Sequence, residues 1–466
     1  MTDREIHPIR NSFLGVPLES IKKALEAAEV EFYDFGKVRV TEASIPWFGP
    51  TDIPYLFKVK SGIWKVLWCG KDEEFTKIGL GSLVQFDSSQ ELMMVSRTPM
   101  RIFGGFPFDR STQKEWSEFA DLKFFLPQME WTIGRHSQLS IRTILTDHSC
   151  DGRKALLSVI NRFRDADDSA RGRPPQPLVC DTLDSPERQV WTKQIEQSKG
   201  LMNDGVFSKV VLSRCKTLSM SQPIDSAVII EALMHLNEPS DLFAFEAPSG
   251  SIFLGRSPER ILSWASGEVS ADAIAGTRER GSTRSMDAQE AQNLQNSMKD
   301  LSEHQFVTDF VQQTIESFCD DVSAIDQAKL LRLEHVQHII TRFRGTLLEG
   351  QQPLDLLNAL HPTPAVSGTP QKKAMKYLRD TEPFQRGWFA GSVGWFDGEN
   401  GKFAIAIRSA LIKDHLLKIF AGAGIVSGSD PDKEWAETQV KMENFLKIFP
   451  DQSAIEALPK NAHGRL

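Results

Sequence analysis

The sequence predicts an α+β fold. Strand-like and helix-like segments mix without the regular strand–helix alternation of a parallel α/β sheet. Hydrophobic residues make up 40% and charged residues 25% of 466 positions, as in an ordinary globular protein. No apolar run approaches the ~18 residues that would cross a bilayer. By length alone, roughly two or three domains of ~150 residues are expected.

The first 160 residues carry short runs rich in aromatic and β-branched residues. YLFKV (55–59), GIWKVLWCG (62–70) and SLVQF (82–86) read as strands. FGGFPFD (103–109) sets two glycines between aromatics and reads as a tight turn with close backbone approach. Residues 165–187 are polar and proline-rich, so an exposed loop is expected there, flanked by an N-terminal portion (1–164) and a segment 188–450. Ser185-Pro186-Glu187 then opens a helix, with Ser185 as candidate N-cap. Val190, Trp191, Ile195 and Leu201 suit its apolar face. VFSKVVLSR (206–214) reads as a strand. Helices are expected over 288–318, 331–343, 370–379 and 433–448. Strands are expected in GSVGWF, KFAIAIRSALI and LLKIFAGAGIV.

The formal net charge is −8. That argues against a broad nucleic-acid surface, which needs a basic excess. Five widely spaced cysteines, none with metal-ligand spacing, suit a reducing compartment. MTDREIHPIR is charged and lacks an apolar core, so no signal peptide is expected and the cytoplasm is the natural location.

Four residues stand out as chemistry. Lys209 lies in an apolar strand. It is either an edge lysine facing water or a buried lysine whose pKa desolvation lowers until it can act as a base. Glu259 follows Ser-Pro after a strand, as a turn cap or as a general acid kept protonated by an enclosed site. Asp300 and Glu303 share one helical face, and Glu434, Glu437 and Lys441 repeat that spacing in the last helix. Each face is either solvated or half of an oxygen-rich site that would suit Mg²⁺. Arg408, among apolar residues in AIAIRSAL, needs a carboxylate partner, from the protein or from a substrate.

Other chemistries lack their signatures. FAGAGIVSG (420–428) has glycines at 422, 424 and 428, spaced GxGxxxG and not opening a helix, so no dinucleotide fold is indicated. Backbone approach to a substrate carboxylate suits these glycines better. His304, His335 and His338 lack zinc-site spacing. Neither GxSxG nor a phosphate-binding GxxxxGK[ST] loop occurs.

KVVLSR, GRSPER, AIAGTRERG, SEHQFV, VQHI, HPTPAVSGTP, GWFAGSVGWF, AIRSAL and AGAGIVSGSDPDKEWAET fall in one order over about residues 187–450. Together they resemble the chorismate-utilising enzymes: isochorismate, salicylate, anthranilate and aminodeoxychorismate synthases. FGGFPFD and WSEFADLKFFLP (116–127) are similar to the N-terminal portion of the isochorismate-synthase branch. The resemblance implies one large domain of two stacked, mainly antiparallel sheets flanked by helices, which replaces the length-based expectation.

Three positions separate the family's reactions. Water-using members carry lysine where Lys209 stands, whereas anthranilate synthases carry glutamine. Aminodeoxychorismate synthases use a lysine where this chain has Ala275. Members that go on to eliminate pyruvate tend to have threonine at the position of Ala365. The resemblance thus implies isochorismate synthesis, with salicylate synthesis or a siderophore-pathway isochorismate synthase as alternatives. Menaquinone biosynthesis is the pathway the N-terminal segment resembles most. The implied roles are Lys209 as base toward water at ring C2 and Glu259 as acid toward the C4 hydroxyl. Magnesium would be held by Glu303 and Glu437 with Glu434 and Asp300 in support. Arg408, Gly422 and Gly424 would hold the pyruvyl carboxylate. Gly276, Thr277, His338 and Ala365 would line the pocket, and Lys441 would balance the acidic cluster. The partner is chorismate itself, with no nucleic acid, membrane or amidotransferase subunit expected.

Overall fold

The computed structural model describes residues 12–449 except 14–15, 36–37, 50, 59–61, 96–97, 110–115, 120–121, 146–150 and 165–176. Two large antiparallel sheets dominate it. The first has thirteen strands and runs from Val179–Ser185 through Lys209–Met220, Leu416–Ile425 and Ser409–Lys413. It continues through Ile252–Ser257 and Asp241–Glu246 into strands of the first 150 residues. The second has nine and runs from Cys319–Arg332 through Val336–Leu347, Glu268–Glu279, Arg260–Ala265, Asn400–Ile405 and Ser392–Phe396 to Ile102–Phe106, Lys123–Leu126 and Val84–Phe86. Strands from both halves of the chain therefore share each sheet.

Alternation builds two cores. Val66, Trp68, Phe243, Phe245 and Phe253 point inward and meet Phe103, Phe125, Leu262, Phe343 and Phe403 of the second sheet. Leu67, Leu242, Ala244 and Leu254, one residue out of phase, point to the other face of the first sheet. Helices cover them there through Ile21, Leu25, Leu156, Ile160, Ile229, Ile230 and Phe445. The inner layer is rich in aromatics, with Phe119, Trp388 and Phe253 in mutual edge or tilted contact.

Two helices position acidic residues. Met298–Glu316 starts at Ser297, whose side chain accepts from the Asp300 amide, and buries Asp300, His304, Val307, Val311 and Ile315 at i, i+4, i+7 spacing. Pro431–Leu446 starts at Asp430, which caps two amides, and buries Glu434, Thr438, Met442 and Phe445. Arg214 locks the second helix to the Lys209 strand. It lies flat on Trp435 at 3.2 Å and bonds Thr438 and Asp184.

Several expectations are corrected. Residues 331–343 are not a helix: Val336–Leu347 is a strand, because Ile339, Ile340 and Thr341 favour β geometry and ladders on both sides pair it. YLFK (55–58) belongs instead to the helix Ile53–Lys58, which buries Ile53 and Phe57 one turn apart, and Val59 lies outside the described residues. FGGF is a strand and not a turn, although the close approach is real. Residues 179–185 of the expected loop are a strand, and 165–176 lie outside the described residues. Ser185 ends that strand, and Glu187 is the N-cap of Arg188–Asn203. Val190 faces solvent at 46% exposure. The 288–318 helix is two helices, Arg284–Asn296 and Met298–Glu316, broken at the capping Ser297. No described helix is long and apolar enough to cross a membrane.

Gly104 pairs with Gly394 across the second sheet, and a Cβ at 104 would strike the Lys123 carbonyl and the Phe124 side chain. Gly104→Val is expected to cost about 3 kcal/mol of unfolding free energy or more, read by urea denaturation. A loss below about 1 kcal/mol would show that the ladder can yield there.

Candidate active site

The site lies where the Lys209 strand, the Gly422–Gly424 segment and the Glu259 turn face the first turns of the two acidic helices. A pocket of about 70 Å³ is lined by Glu259, Gly276, Thr277, Glu303, His338, Ala365, Arg408, Gly422, Gly424 and Lys441, among others. Larger clefts occur on the surface, but here the polar groups converge. Ten of the fourteen residues proposed from sequence thus line one cavity. Lys209 adjoins it, touching the space above Gly424.

Lys209 is not an edge lysine. Its strand is flanked by Gly368–Thr369 on one side and Leu416–Ile425 on the other, and the residue is fully buried. Its Nζ lies 3.1 Å from Glu303 Oε1 in an ion pair without good hydrogen-bond geometry. Burial would raise the Glu303 carboxyl, but the charges of Lys209, Lys299 and Lys441 outweigh it and hold the group below its usual value. Gly424 makes this pair possible, because a Cβ there would collide with the Glu303 carboxylate and sit 3.1 Å from Lys209 Cε.

Glu259 is 3% exposed, and its Oε1 has no hydrogen-bond partner among the described residues. Burial, then the nearby charge of Asp272, raises its pKa to about 8 against the opposing pull of Lys209, Lys71 and Lys441. At neutral pH it is a protonated acid facing the pocket.

Arg408 is not a strand residue. It sits between the strands Asn400–Ile405 and Ser409–Lys413 at φ 51°, a left-handed conformation rare for a long side chain. Its carbonyl still accepts from the Arg256 amide at 3.0 Å, so the ladder resumes beyond it. The guanidinium is buried and makes no carboxylate ion pair among the described residues, although the charges of Glu238 and Glu437 act on it from further off. It reaches His338 Nε2 at 3.3 Å. Since a guanidinium only donates, Nε2 accepts and the imidazole proton belongs on Nδ1. That nitrogen lies 3.3 Å from the Gly276 carbonyl and 3.1 Å from the Thr277 hydroxyl. Burial and the Arg408 and Lys441 charges push the His338 pKa down, which keeps the ring neutral. Gly276, at φ 75°, is the extra residue of a bulge between the Ala275 and Thr277 pairings, which re-aims this carbonyl.

The remaining carboxylates line the adjoining mouth with Lys299 and Arg278. Each faces a cation: Glu434 meets Lys299 at 2.5 Å, Glu437 meets Lys441 at 2.6 Å, and Asp300 meets Arg278 at 3.1 Å. Lys441 also donates to the Gly422 carbonyl at 2.9 Å. Burial and then the Glu437 charge raise Glu434 to about 7. Among the described residues, however, no three His, Cys, Asp or Glu side chains converge as metal ligands. The four acidic residues are neighbours and not a formed cage.

Sequence reading missed Arg386, which walls the pocket and donates to the Val366 and Val211 carbonyls at 2.8 and 2.6 Å. It missed Lys299, four residues before Glu303, where the spacing was a usable signal. It missed Lys71 and Asp272 behind Glu259, for which no local pattern exists.

Arg408 carries a buried charge that the free protein leaves without a carboxylate. Arg408→Met is therefore expected to stabilise the free chain, by about 1 kcal/mol or more. Urea unfolding reads this directly, and a destabilisation of similar size would refute the unpaired-charge account.

The profile of the chorismate binding enzyme family matches residues 64–449. The chain is 30% identical to the isochorismate synthase MenF of Bacillus subtilis over 422 residues, 83% of this chain and 88% of that one. It is 35% identical to the salicylate biosynthesis isochorismate synthase of Pseudomonas aeruginosa, over 77% of this chain and 76% of that one. Its fold is similar to MenF, the menaquinone-specific isochorismate synthase of Escherichia coli. The TM-score is 0.80 at 25% identity, covering 92% of this chain and 100% of that one.

Proposed function

The chain belongs to the chorismate-binding enzymes, and from that membership we propose that it isomerises chorismate to isochorismate. The observation that carries this reading is the enclosed pair Lys209 and Glu259. Both are buried beside one pocket, and each presents a polar atom without a hydrogen-bond partner among the described residues. Such atoms are costly unless a ligand or a reacting water uses them.

The chemistry moves a hydroxyl between ring carbons. Lys209 takes a proton from the water whose oxygen bonds to C2. The ring double bonds shift and the C4–O bond breaks. Glu259 gives its proton to the departing hydroxyl, which leaves as water. Arg408 binds the pyruvyl carboxylate bidentately, and the Gly422–Gly424 backbone approaches the same group. His338, itself held by Thr277 and Gly276, holds the Arg408 head. The small Ala365 methyl leaves the wall without the hydroxyl that a threonine would bring.

The hard oxygen donors Glu303 and Glu437, with Glu434 and Asp300 behind them, fit magnesium. Asp300, Glu434 and Glu437 share one mouth, which supports the same reading. When bound, the ion would supply the positive charge that anchors the ring carboxylate among these acids. Likeness to the two MenF proteins over most of the chain favours menaquinone biosynthesis as the pathway served.

With purified protein, chorismate and Mg²⁺, chromatography should show isochorismate and no stoichiometric pyruvate. Stoichiometric pyruvate with salicylate would sink the assignment. EDTA should abolish turnover and added Mg²⁺ should restore it, whereas full activity in metal-free buffer would remove the metal from the scheme.

The pH dependence has a defined sign. Glu259 donates only while protonated, so kcat should fall as pH rises through about 8. Glu259→Gln and Lys209→Ala should each lower kcat by ~10²-fold or more without unfolding the chain. A kcat that climbs steadily past that pH in the parent enzyme would exclude Glu259 as the acid.

A further inference from the structure

Behind Glu259, on the side away from the pocket, lies a buried ion pair from distant parts of the chain. Lys71 sits in the turn after the strand Lys65–Cys69, with its side chain 3% exposed. Its Nζ donates to the Pro258 carbonyl at 2.7 Å and meets Asp272 Oδ2 at 3.2 Å. Its backbone amide donates to Asp241 at 2.7 Å, which fixes the turn itself. Asp272, in the second sheet, has a fully buried side chain, and its other oxygen accepts from Arg342 Nε at 2.9 Å. One lysine thus ties the first sheet, the backbone just before Glu259 and the second sheet together.

We propose that Lys71 and Asp272 are positioning residues for the acid step, pinning the Pro258–Glu259 backbone and fixing the charge behind the Glu259 carboxyl. The proposal rests on the reading of Glu259 as the acid. Neither residue lines the pocket, so both act through Glu259. The geometry explains why the pairing matters. A lysine on a backbone carbonyl sets the register of the turn that carries Glu259. A carboxylate held by two cations keeps its place, so the charge it exerts on Glu259 is fixed. The charges that act most on Glu259 are those of Asp272 from the second sheet, Lys209 from the first, Lys71 from the turn and Lys441 from the last helix, and Glu303, Arg386 and Arg408 line the same pocket. Of these, Asp272 favours the protonated acid, and the three lysines oppose it.

The two partners should therefore move the alkaline limb of kcat in opposite directions. Asp272→Asn should shift it to lower pH by about one unit, and Lys71→Gln to higher pH by a similar amount. Lys71→Gln can keep a donor toward Pro258, whereas Lys71→Met cannot. Lys71→Met should therefore also lose kcat by about tenfold, with KM little changed. The combined Lys71→Gln/Asp272→Asn variant should return the limb to near the parent value. Should Asp272→Asn not fold, the Lys71→Gln and Lys71→Met comparison carries the test alone. Glu259→Gln is the control. A limb that persists in Glu259→Gln overturns the acid assignment and this proposal with it. A limb lost there but unmoved in folded Lys71→Gln overturns the pairing alone.

Discussion

Charge inside a dry interior is the constraint on which this structure depends. The sheets close over an aromatic layer, so every ionised group near their junction must find a counter-charge or give up its own. Lys209 meets Glu303, Lys299 meets Glu434, Lys441 meets Glu437 and Lys71 meets Asp272. Lys65 meets Glu246 and Arg142 meets Glu42 and Glu130 in the same way, far from the pocket. Glu259 takes the other course and stays protonated.

Against that background Arg408 is the exception. Its strained backbone and its lack of a carboxylate are two costs at one position. Such costs persist where a ligand offsets them. The neutral His338 that accepts from Arg408 fixes the head of the side chain without neutralising it. Backbone features serve the same end: the Gly276 bulge aims a carbonyl at His338, and Gly424 clears room for the Lys209–Glu303 pair.

Much of this was legible because the chemistry sits in contiguous stretches. KVVLSR, GRSPER and the two acidic helices each bring their residue with enough local pattern to place it on a strand, turn or helix. Where reading failed, tertiary context had overruled local preference. VQHIITRF carries hydrophobic residues that suit a helix or a buried strand equally well, and two neighbouring ladders decide it. Arg408 sits in an unbroken apolar run, so nothing local announces the break there. Lys71 lies 187 residues from Pro258, a contact that no spacing rule can reveal.

That sharing of sheets between distant segments also sets an order in time. The Lys209 strand pairs along most of its length with Leu416–Ile425, two hundred residues downstream. During synthesis the first of these emerges long before its partner, with an unpaired flank exposed. At ~5–20 residues per second that interval lasts on the order of ten seconds or more. The nascent chain must pass through it without pairing that flank to another chain. The pocket closes only with the last strand and the helix that follows, so a ribosome-bound chain holds Lys209 and Glu259 well before it holds their cavity.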